Sequence, residues 1–202
     1  MKKCETPIVQ LEKKPEYLSR VRKDVLRTFV GYFFEEYWDN IDFEPNFQRG
    51  LVWSQKQKEA YILALFEHRA ELSPTFVLDQ DKVNKTMNLK KMISIDGKQR
   101  LHAVKEFMDD KFSVKGMYYS QLKESDKFYL QSLDFDMVVY RNPDVSKTLD
   151  YKTQLEIFLA INSWGVPQAE EHIKKLEKER KNISQEIDSV HQLRMRAMKE
   201  EE

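Results

Sequence analysis

Five consecutive residues, Asp96-Gly97-Lys98-Gln99-Arg100, bring a carboxylate, two cations and an amide together around a glycine. The apolar run 92–95 before them predicts a buried strand. Behind them, apolar residues at 101, 104, 107 and 108 recur at helical spacing. The polar residues therefore stand where a strand passes into a helix, and a helix N-terminus favours an anion.

This position allows two interpretations of the stretch 96–100. Lys98 and Arg100 oppose the helix dipole unless an anion binds beside them. Asp96 is then placed to hold a divalent metal, orient a water or bond a ribose hydroxyl. In the alternative interpretation Asp96 caps the helix, and the two cations are solvated or paired with nearby glutamates.

Two further polar clusters also lie beside glycines. Gln48 and Arg49 stand between Phe47 and the apolar run 51–53, next to Gly50. A guanidinium among aromatic residues suits phosphate or carboxylate, although a structural Arg–carboxylate pair is the alternative. Asn162 and Ser163 precede Gly165, which suits a helix C-terminus and is followed by Pro167.

Three of the five glycines thus adjoin polar clusters, which predicts one composite site. We expect Arg49, Asp96, Arg100 and Asn162 to line a single pocket, with Gly97 at its floor.

The remaining pattern predicts a mixed α+β domain. Predicted helices cover 17–40 (one, or two broken near Gly31), 55–69 after a Ser54 cap with Ala60 facing inward, the stretch after Gly97, 120–133 and 148–162. Extended segments are predicted at 45–50 (between Pro45 and Gly50), 75–78, 92–95, 111–119 and 135–140, with a polar hairpin loop over 79–91.

Bulk composition narrows the functional classes. The chain has 202 residues, 41% hydrophobic, 34% charged, with a formal net charge of zero, so only a local basic patch would serve nucleic acid. One cysteine, Cys4, excludes a disulfide framework, and the four histidines lack metal-ligand spacing. No signal peptide or transmembrane run is evident, so we expect a cytoplasmic protein without membrane contact.

A charged C-terminal segment forms the second of two expected units, 1–166 and 167–202. Apolar residues there follow a heptad pattern at Ile173, Leu176, Ile183, Ile187 and Val190, with Arg180 and Arg194 filling other seam positions. This predicts a long amphipathic helix that packs on its own domain or pairs with a partner. We expect the contact, with a second copy or another protein, to centre on 183–190.

Three clusters in this order carry a family resemblance. Phe47-Gln48-Arg49 with Val52-Trp53, then Asp96-Gly97-Lys98-Gln99-Arg100-Leu101, then Phe158, Asn162 and Gly165 resemble the DGQQR family of the ParB/sulfiredoxin-like superfamily. Such domains form the nucleotide-binding part of GmrSD-type, modification-dependent restriction enzymes. The resemblance covers roughly residues 20–175.

The resemblance implies a ParB/sulfiredoxin-like fold, a small mixed sheet flanked by helices, that binds and often hydrolyses nucleoside triphosphates with Mg²⁺. By this resemblance Gln48, Arg49, Gly97, Lys98, Arg100 and Asn162 contact the nucleotide and its phosphates, while Asp96 and Gln99 are catalytic. Asp96 is also the expected Mg²⁺ ligand, and Gln99 would orient phosphate or water.

This sequence departs from the family pattern at three points. Lys98 replaces the first glutamine of the signature, and Ala160 stands where the third motif often has arginine. No His/Asn/His set of an HNH nuclease follows. A role in phage defence or counter-defence or in DNA modification is the leading expectation. The chain would then be a small phage protein or a subunit of a split system. A DNA-binding or nicking domain and a catalytically silent interaction protein, a regulator or decoy that uses the C-terminal helix, stay open as alternatives.

Overall fold

A five-stranded mixed sheet organises the protein. The computed structural model describes residues 20–84, 89–162 and 170–200, and their side chains except at 80–90, 170–171 and 191–200. The strands are β1 (Arg22–Phe29), β2 (Ile41–Asp42), β3 (Thr75–Asn84), β4 (Leu89–Asp96) and β5 (Asp134–Arg141). Their spatial order is β1-β5-β3-β4-β2. The β1–β5 and β3–β4 pairs are antiparallel, whereas β3–β5 and β2–β4 are parallel.

Helices cover both faces of this sheet. They are α1 (Val30–Glu36), α2 (Gln55–Phe66), α3 (Lys98–Met108), α4 (Glu124–Ser132), α5 (Tyr151–Asn162) and α6 (Glu170–Glu200). Short 3₁₀ turns lie at Trp38–Asn40 and Tyr119–Gln121. The α+β class predicted from the sequence is confirmed.

Strand alternation divides the core into two layers. Neighbouring side chains of a strand point to opposite faces, so Phe76 packs in one cluster and Val77 in the other. The first cluster includes Phe33, Leu101 and other residues of α1–α4. The second joins Phe47 to α5 and to the start of α6. The segment around Phe47 is therefore anchored on the α5 side of the sheet.

The helix predicted over 17–40 is wrong in its first half within the described residues. Residues 22–29 form β1, which pairs with β5 along its full length, and only 30–36 are α-helical. Thr28 is buried, whereas Val25 and Phe29 are each 56% exposed. The apolar residues fit helical spacing by coincidence, and pairing with a distant strand decided the structure.

Three smaller expectations also need correction. The segment 111–119 contains only an isolated bridge between Val114 and Met117. The stretch 79–91 is not a loop throughout, since β3 and β4 extend into it. Ala60 is exposed, while Ile62 and Leu65 supply the buried face of α2.

The turn between β4 and α3 requires its glycine. Gly97 adopts φ +95°, a left-handed conformation that L side chains rarely adopt. A Cβ added there would lie 2.9 Å from Cβ of Pro74, which is too close for any side chain. Gly97 thus brings the start of α3 directly against the Pro74 segment.

The long helix α6 is docked at its start and exposed further along. Leu176 is 2% exposed and Ile173 packs partly against the α5 core. The Tyr151 hydroxyl also donates to Glu179 at 3.0 Å. By contrast, Ile187 and Val190 are 50% and 49% exposed. No helix in the described residues is long and apolar enough to cross a membrane.

Candidate functional site

A single cavity collects the predicted polar clusters. Its volume is about 500 Å³, within the range of small-molecule sites. It is lined by Gln48, Arg49, Trp53, Gln57, Ala60, Ile95, Asp96, Gly97, Lys98, Gln99, Arg100, Ile161 and Asn162. The predicted convergence of Arg49, Asp96, Gly97, Arg100 and Asn162 is confirmed, while Ser163 and Gly165 lie outside the described residues.

The first motif is fastened to the end of β4 by the Gln48 side chain. Its Nε2 donates to the carbonyls of Ser94 at 3.1 Å and Ile95 at 2.8 Å. Phe47 is fully buried beside it, and its carbonyl lies 3.0 Å from Nε2 of His172. Gln48 therefore orients the chain on which Arg49 stands.

Lys98 points into the protein rather than into open solvent. The residue is 3% exposed, and its Nζ donates to Glu44 at 2.7 Å and to the Arg49 carbonyl at 3.0 Å. The Glu44 side chain is 73% exposed. A buried ammonium needs such partners because desolvation of an unpaired charge is costly. Lys98 consequently links the first turn of α3 to the loop that contains Glu44 and Arg49, which joins β2 to α2.

Gln99 makes a second tie to the same loop. Its Oε1 accepts from the backbone N–H groups of Val52 at 3.1 Å and Trp53 at 3.2 Å. Its Nε2 donates to the Gly50 carbonyl at 3.0 Å. The amide thus uses both its oxygen and its nitrogen within the protein.

Asp96 does not cap α3, so the capping part of the alternative interpretation is wrong, whereas a glutamate partner is confirmed for Lys98. The N-cap is Gly97, without a side-chain capping hydrogen bond. Instead Arg100 Nη2 donates to Asp96 Oδ2 at 2.7 Å and to the Ser73 carbonyl at 3.3 Å. The Arg100 and Asp96 side chains remain 30% and 35% exposed, so both remain accessible.

Arg49 is the cation of the cavity lining that has no partner among the described residues. Among the described residues its guanidinium has no hydrogen-bond or ion-pair partner, and the residue is partly buried. The first intrahelical bond of α3 runs from Leu101 N to the Gly97 carbonyl at 2.9 Å. The preceding N–H groups, from Lys98 to Arg100, therefore have no partner inside the helix. Arg49 and the helix start together favour an anion in the cavity.

Asn162 reaches the cavity from the end of α5. Its Nδ2 donates to the Phe158 carbonyl one turn earlier, at 2.8 Å. The residue also makes an interaction besides this one. Its side chain is thus part of the wall and is oriented by the helix that carries it.

Several lining residues were not identified from the sequence. Trp53, Gln57 and Ala60 form the α2 side of the cavity, and the Trp53 ring packs edge-on against Tyr61 at 5.3 Å. The Ser54-x-x-Gln57 capping box is a local signal that could have located Trp53 and Gln57 at a helix start. Nothing local marks Glu44 as the partner of Lys98.

The donor set is sparse for a metal held by protein alone. No group of three His, Cys, Asp or Glu residues suitable for a metal exists among the described residues. Mg²⁺ commonly uses one or two carboxylates together with substrate phosphates and waters. Asp96 as a single carboxylate at an anion-favouring cavity fits that mode.

The fold and the cavity define an α+β domain with a cavity at a strand-to-helix turn that is lined by three cationic side chains. Residues 30–198 match the family model of the GmrSD restriction endonuclease, N-terminal domain, and the chain belongs to that family. No curated protein and no solved structure gives a significant match.

Proposed function

We propose that the cavity binds a nucleoside triphosphate with Mg²⁺, and that the domain serves a restriction system. The observation that carries this proposal is that, in the described part of the chain, the guanidinium of Arg49 and the N–H groups at the start of α3 have no partner and line the same cavity. Phosphate oxygens are the ligands that such a group of donors suits best. Family membership supports the restriction context, in phage defence or in its counter-defence.

The charges at the cavity support an anionic ligand. Arg49, Lys98 and Arg100 face one carboxylate, Asp96, among the lining residues. Glu44 neutralises Lys98 from outside the lining and Asp96 pairs with Arg100, so Arg49 carries the net positive charge and Arg100 becomes available once its bond with Asp96 is exchanged. We assign these two arginines and the N–H groups of α3 to direct phosphate contact.

The other signature residues act through the loop in this proposal. Gln48 Nε2, Lys98 Nζ and both side-chain polar atoms of Gln99 bond to backbone groups of 49–53 and 94–95 or to Glu44. They hold Arg49 and Trp53 at the cavity without touching the ligand. This replaces the phosphate contact expected for Lys98 and the water-orienting role expected for Gln99.

Hydrolysis is the second part of the proposal and depends on Asp96. Bound Mg²⁺ would neutralise charge that develops on the phosphates during transfer. Asp96 would hold the ion or orient the attacking water, after exchange of its bond with Arg100. Phosphoryl transfer needs mostly positioning and charge stabilisation, so one carboxylate and two arginines are sufficient parts.

A thermal-shift screen with the four NTPs, each with and without Mg²⁺, tests the proposal. A ligand that binds only the folded state raises the melting temperature by mass action, and we expect a rise that needs the triphosphate. Arg49→Ala should remove the rise. If none of the four nucleotides at millimolar concentration changes the melting temperature, the cavity does not bind them and the proposal is wrong.

An assembly role for α6 is a second candidate function. The exposure of Ile187 and Val190 favours it, because an amphipathic helix needs a surface for its apolar seam. A second copy, a nuclease subunit or DNA bound by the whole assembly remain the proposed partners. Light scattering of the Ile187→Glu variant and of wild type tests self-association through α6. If both have the mass of a monomer, the proposal of a second copy as partner is wrong.

The ParB/sulfiredoxin-like relationship and the division into 1–166 and 167–202 stay proposals as well. The mixed sheet and the placement of the signature turn support the first. The exposed distal part of α6 supports the second.

A further inference from the structure

The α2 side of the cavity differs in chemistry from the α3 side. Trp53, Gln57 and Ala60 line it and carry no charge. Gln57 and Ala60 lie three residues apart and share one face of α2. The α3 side carries Asp96 and Arg100 and faces Arg49. The cavity is therefore charged on one wall and neutral on the other.

Trp53 is not packed as a core tryptophan. Trp38 contacts three rings, Phe34, Phe43 and His102, at centroid distances of 5.3, 4.8 and 5.0 Å. In the described part of the chain Trp53 has one ring contact, with Tyr61. Trp53 is partly buried, and its ring belongs to the lining of the cavity.

The indole is nevertheless held in place. The backbone N–H of Trp53 donates to Gln99 at 3.2 Å, which couples the ring to the signature turn. Tyr61 braces the ring from one side, and its hydroxyl donates to the Glu71 carbonyl at 3.0 Å. An aromatic ring that is already positioned at an open cavity can serve as a stacking platform. It loses little further conformational entropy when a ligand stacks on it.

We infer that Trp53 is the nucleobase platform of this cavity, and that the base stacks on its indole while the phosphates reach Arg49 and the start of α3. This inference rests on the proposed function. Ala60 leaves room for a flat ring, because its exposed side chain is a single methyl group. Stacking accepts every base, since each has a π face. The platform therefore gives affinity for nucleotides over bare polyphosphates rather than choice among bases.

Calorimetric titration with ATP, UTP and inorganic tripolyphosphate, all with Mg²⁺, tests this inference on the full chain. Wild type should bind both nucleotides more tightly than tripolyphosphate. Trp53→Ala should weaken both nucleotides roughly 5- to 150-fold and leave tripolyphosphate within about twofold. Trp53→Phe should recover most of the loss. Leu51→Ala is the matched control, because Leu51 lies in the same loop, is 44% exposed and is not a lining residue.

The opposite outcomes separate the two proposals. Equal weakening of nucleotide and tripolyphosphate by Trp53→Ala, with an unchanged melting temperature, would assign Trp53 to the loop and overturn the platform. Equal affinity of wild type for nucleotide and tripolyphosphate would also overturn it, yet keep an anion-binding cavity. Absence of binding to all three ligands would end the proposed function and the platform together.

Discussion

Lys98 and Arg100 are cations of the same helical turn, and the fold uses them in different ways. The Lys98 side chain is 2% exposed and bonds to Glu44 and to the Arg49 carbonyl. The Arg100 side chain is 30% exposed and lies at the cavity beside Asp96. Within one signature, Lys98 thus holds the loop in place, whereas Arg100 is accessible to a ligand. Each has one carboxylate and one backbone carbonyl as partners, so the degree of burial separates the two roles.

The largest expected effect tests whether Lys98 holds the loop in place. Glu44→Ala should lower the free energy of unfolding by about 2–3 kcal/mol, because a buried ammonium then keeps only a carbonyl partner. This is below the figure usual for breaking buried pairs, since Glu44 itself is mostly exposed. Lys98→Met keeps the aliphatic volume and leaves a solvated carboxylate, so its cost should be only about 1 kcal/mol.

Urea unfolding of the two variants and of the double variant measures this asymmetry. The double variant should resemble Lys98→Met, because Glu44 matters only while the ammonium is present. If Lys98→Met were the costlier change, the ion pair would not be what holds Lys98 in its buried position.

The available cation should show the reverse pattern, with binding lost and stability kept. Arg49→Ala should weaken NTP binding by about 2 kcal/mol, roughly 30-fold, through loss of a charged hydrogen bond. Its unfolding free energy should stay within about 0.5 kcal/mol of wild type. Arg69→Ala, which removes an exposed arginine paired with Glu67, serves as the control in the same titration. Comparable binding by the Arg49 and Arg69 variants would refute direct phosphate contact by Arg49.

The sequence predicted the parts of this site that are set locally. An apolar run, a glycine and helical spacing are adjacent between 92 and 108, so the β4–α3 turn follows from neighbours alone. Ser54 and Gln57 likewise mark the start of α2. The division between Lys98 and Arg100 was not predictable, because Glu44 lies 54 residues away.

The same reasoning explains the missed strand. Residues 22–29 become β1 through pairing with β5, as in Arg22 with Arg141, more than 100 residues along the chain. Helical spacing of its apolar residues was a local signal that this non-local pairing overrode. Convergence of the three motifs was inferable only because glycines and a family resemblance accompanied them.

Gln99 lies between Lys98 and Arg100 in the chain. Its proposed role is that of Lys98, which is to hold the loop 49–53 in place. Gln99→Ala should cost about 1–2 kcal/mol of unfolding free energy through lost hydrogen bonds to 50–53. It should also weaken NTP binding, by releasing Arg49 and Trp53. Gln55→Ala, an exposed glutamine of α2 bonded to Glu59 at 2.8 Å, is the control.

A double-mutant cycle distinguishes fastening from contact. In the Arg49→Ala background, Gln99→Ala should have less effect on tripolyphosphate affinity than it has in wild type, because the group it positions is already gone. Additive losses of affinity would instead indicate that Gln99 touches the ligand itself.

Asp96 should show a small effect on stability and a large one on turnover. Asp96→Asn removes half of a partly exposed i,i+4 pair, so the unfolding free energy should change by less than about 1 kcal/mol. Asp109→Asn is the matched control, because Asp109 forms the other i,i+4 pair of α3, with Lys105. Melting temperature and phosphate release are measured on both variants. Mg²⁺-dependent phosphate release that survives in the Asp96 variant would exclude its metal or water role.

The smallest expected effect concerns pH and lies on the buried side of the same helix. His102 follows Lys98 by one turn and packs against both Trp38 and Phe43. Burial is the main cause that lowers the pKa of His102, against the opposing charge of Glu106. Its Nε2 is buried without a partner in the described part of the chain. The folded state therefore disfavours the protonated ring.

The sign of the pH dependence follows from this lowered pKa. Below about pH 6.5 the unfolded chain binds a proton at His102 that the folded chain resists. The free energy of unfolding should therefore be flat above that value and should fall as the pH is lowered through it. His102→Phe keeps an aromatic ring against Trp38 and Phe43 and should make this fall shallower. Urea titrations at pH 5.5 and 7.5 measure the difference, and an equal drop in wild type and variant would assign the pH dependence to other groups.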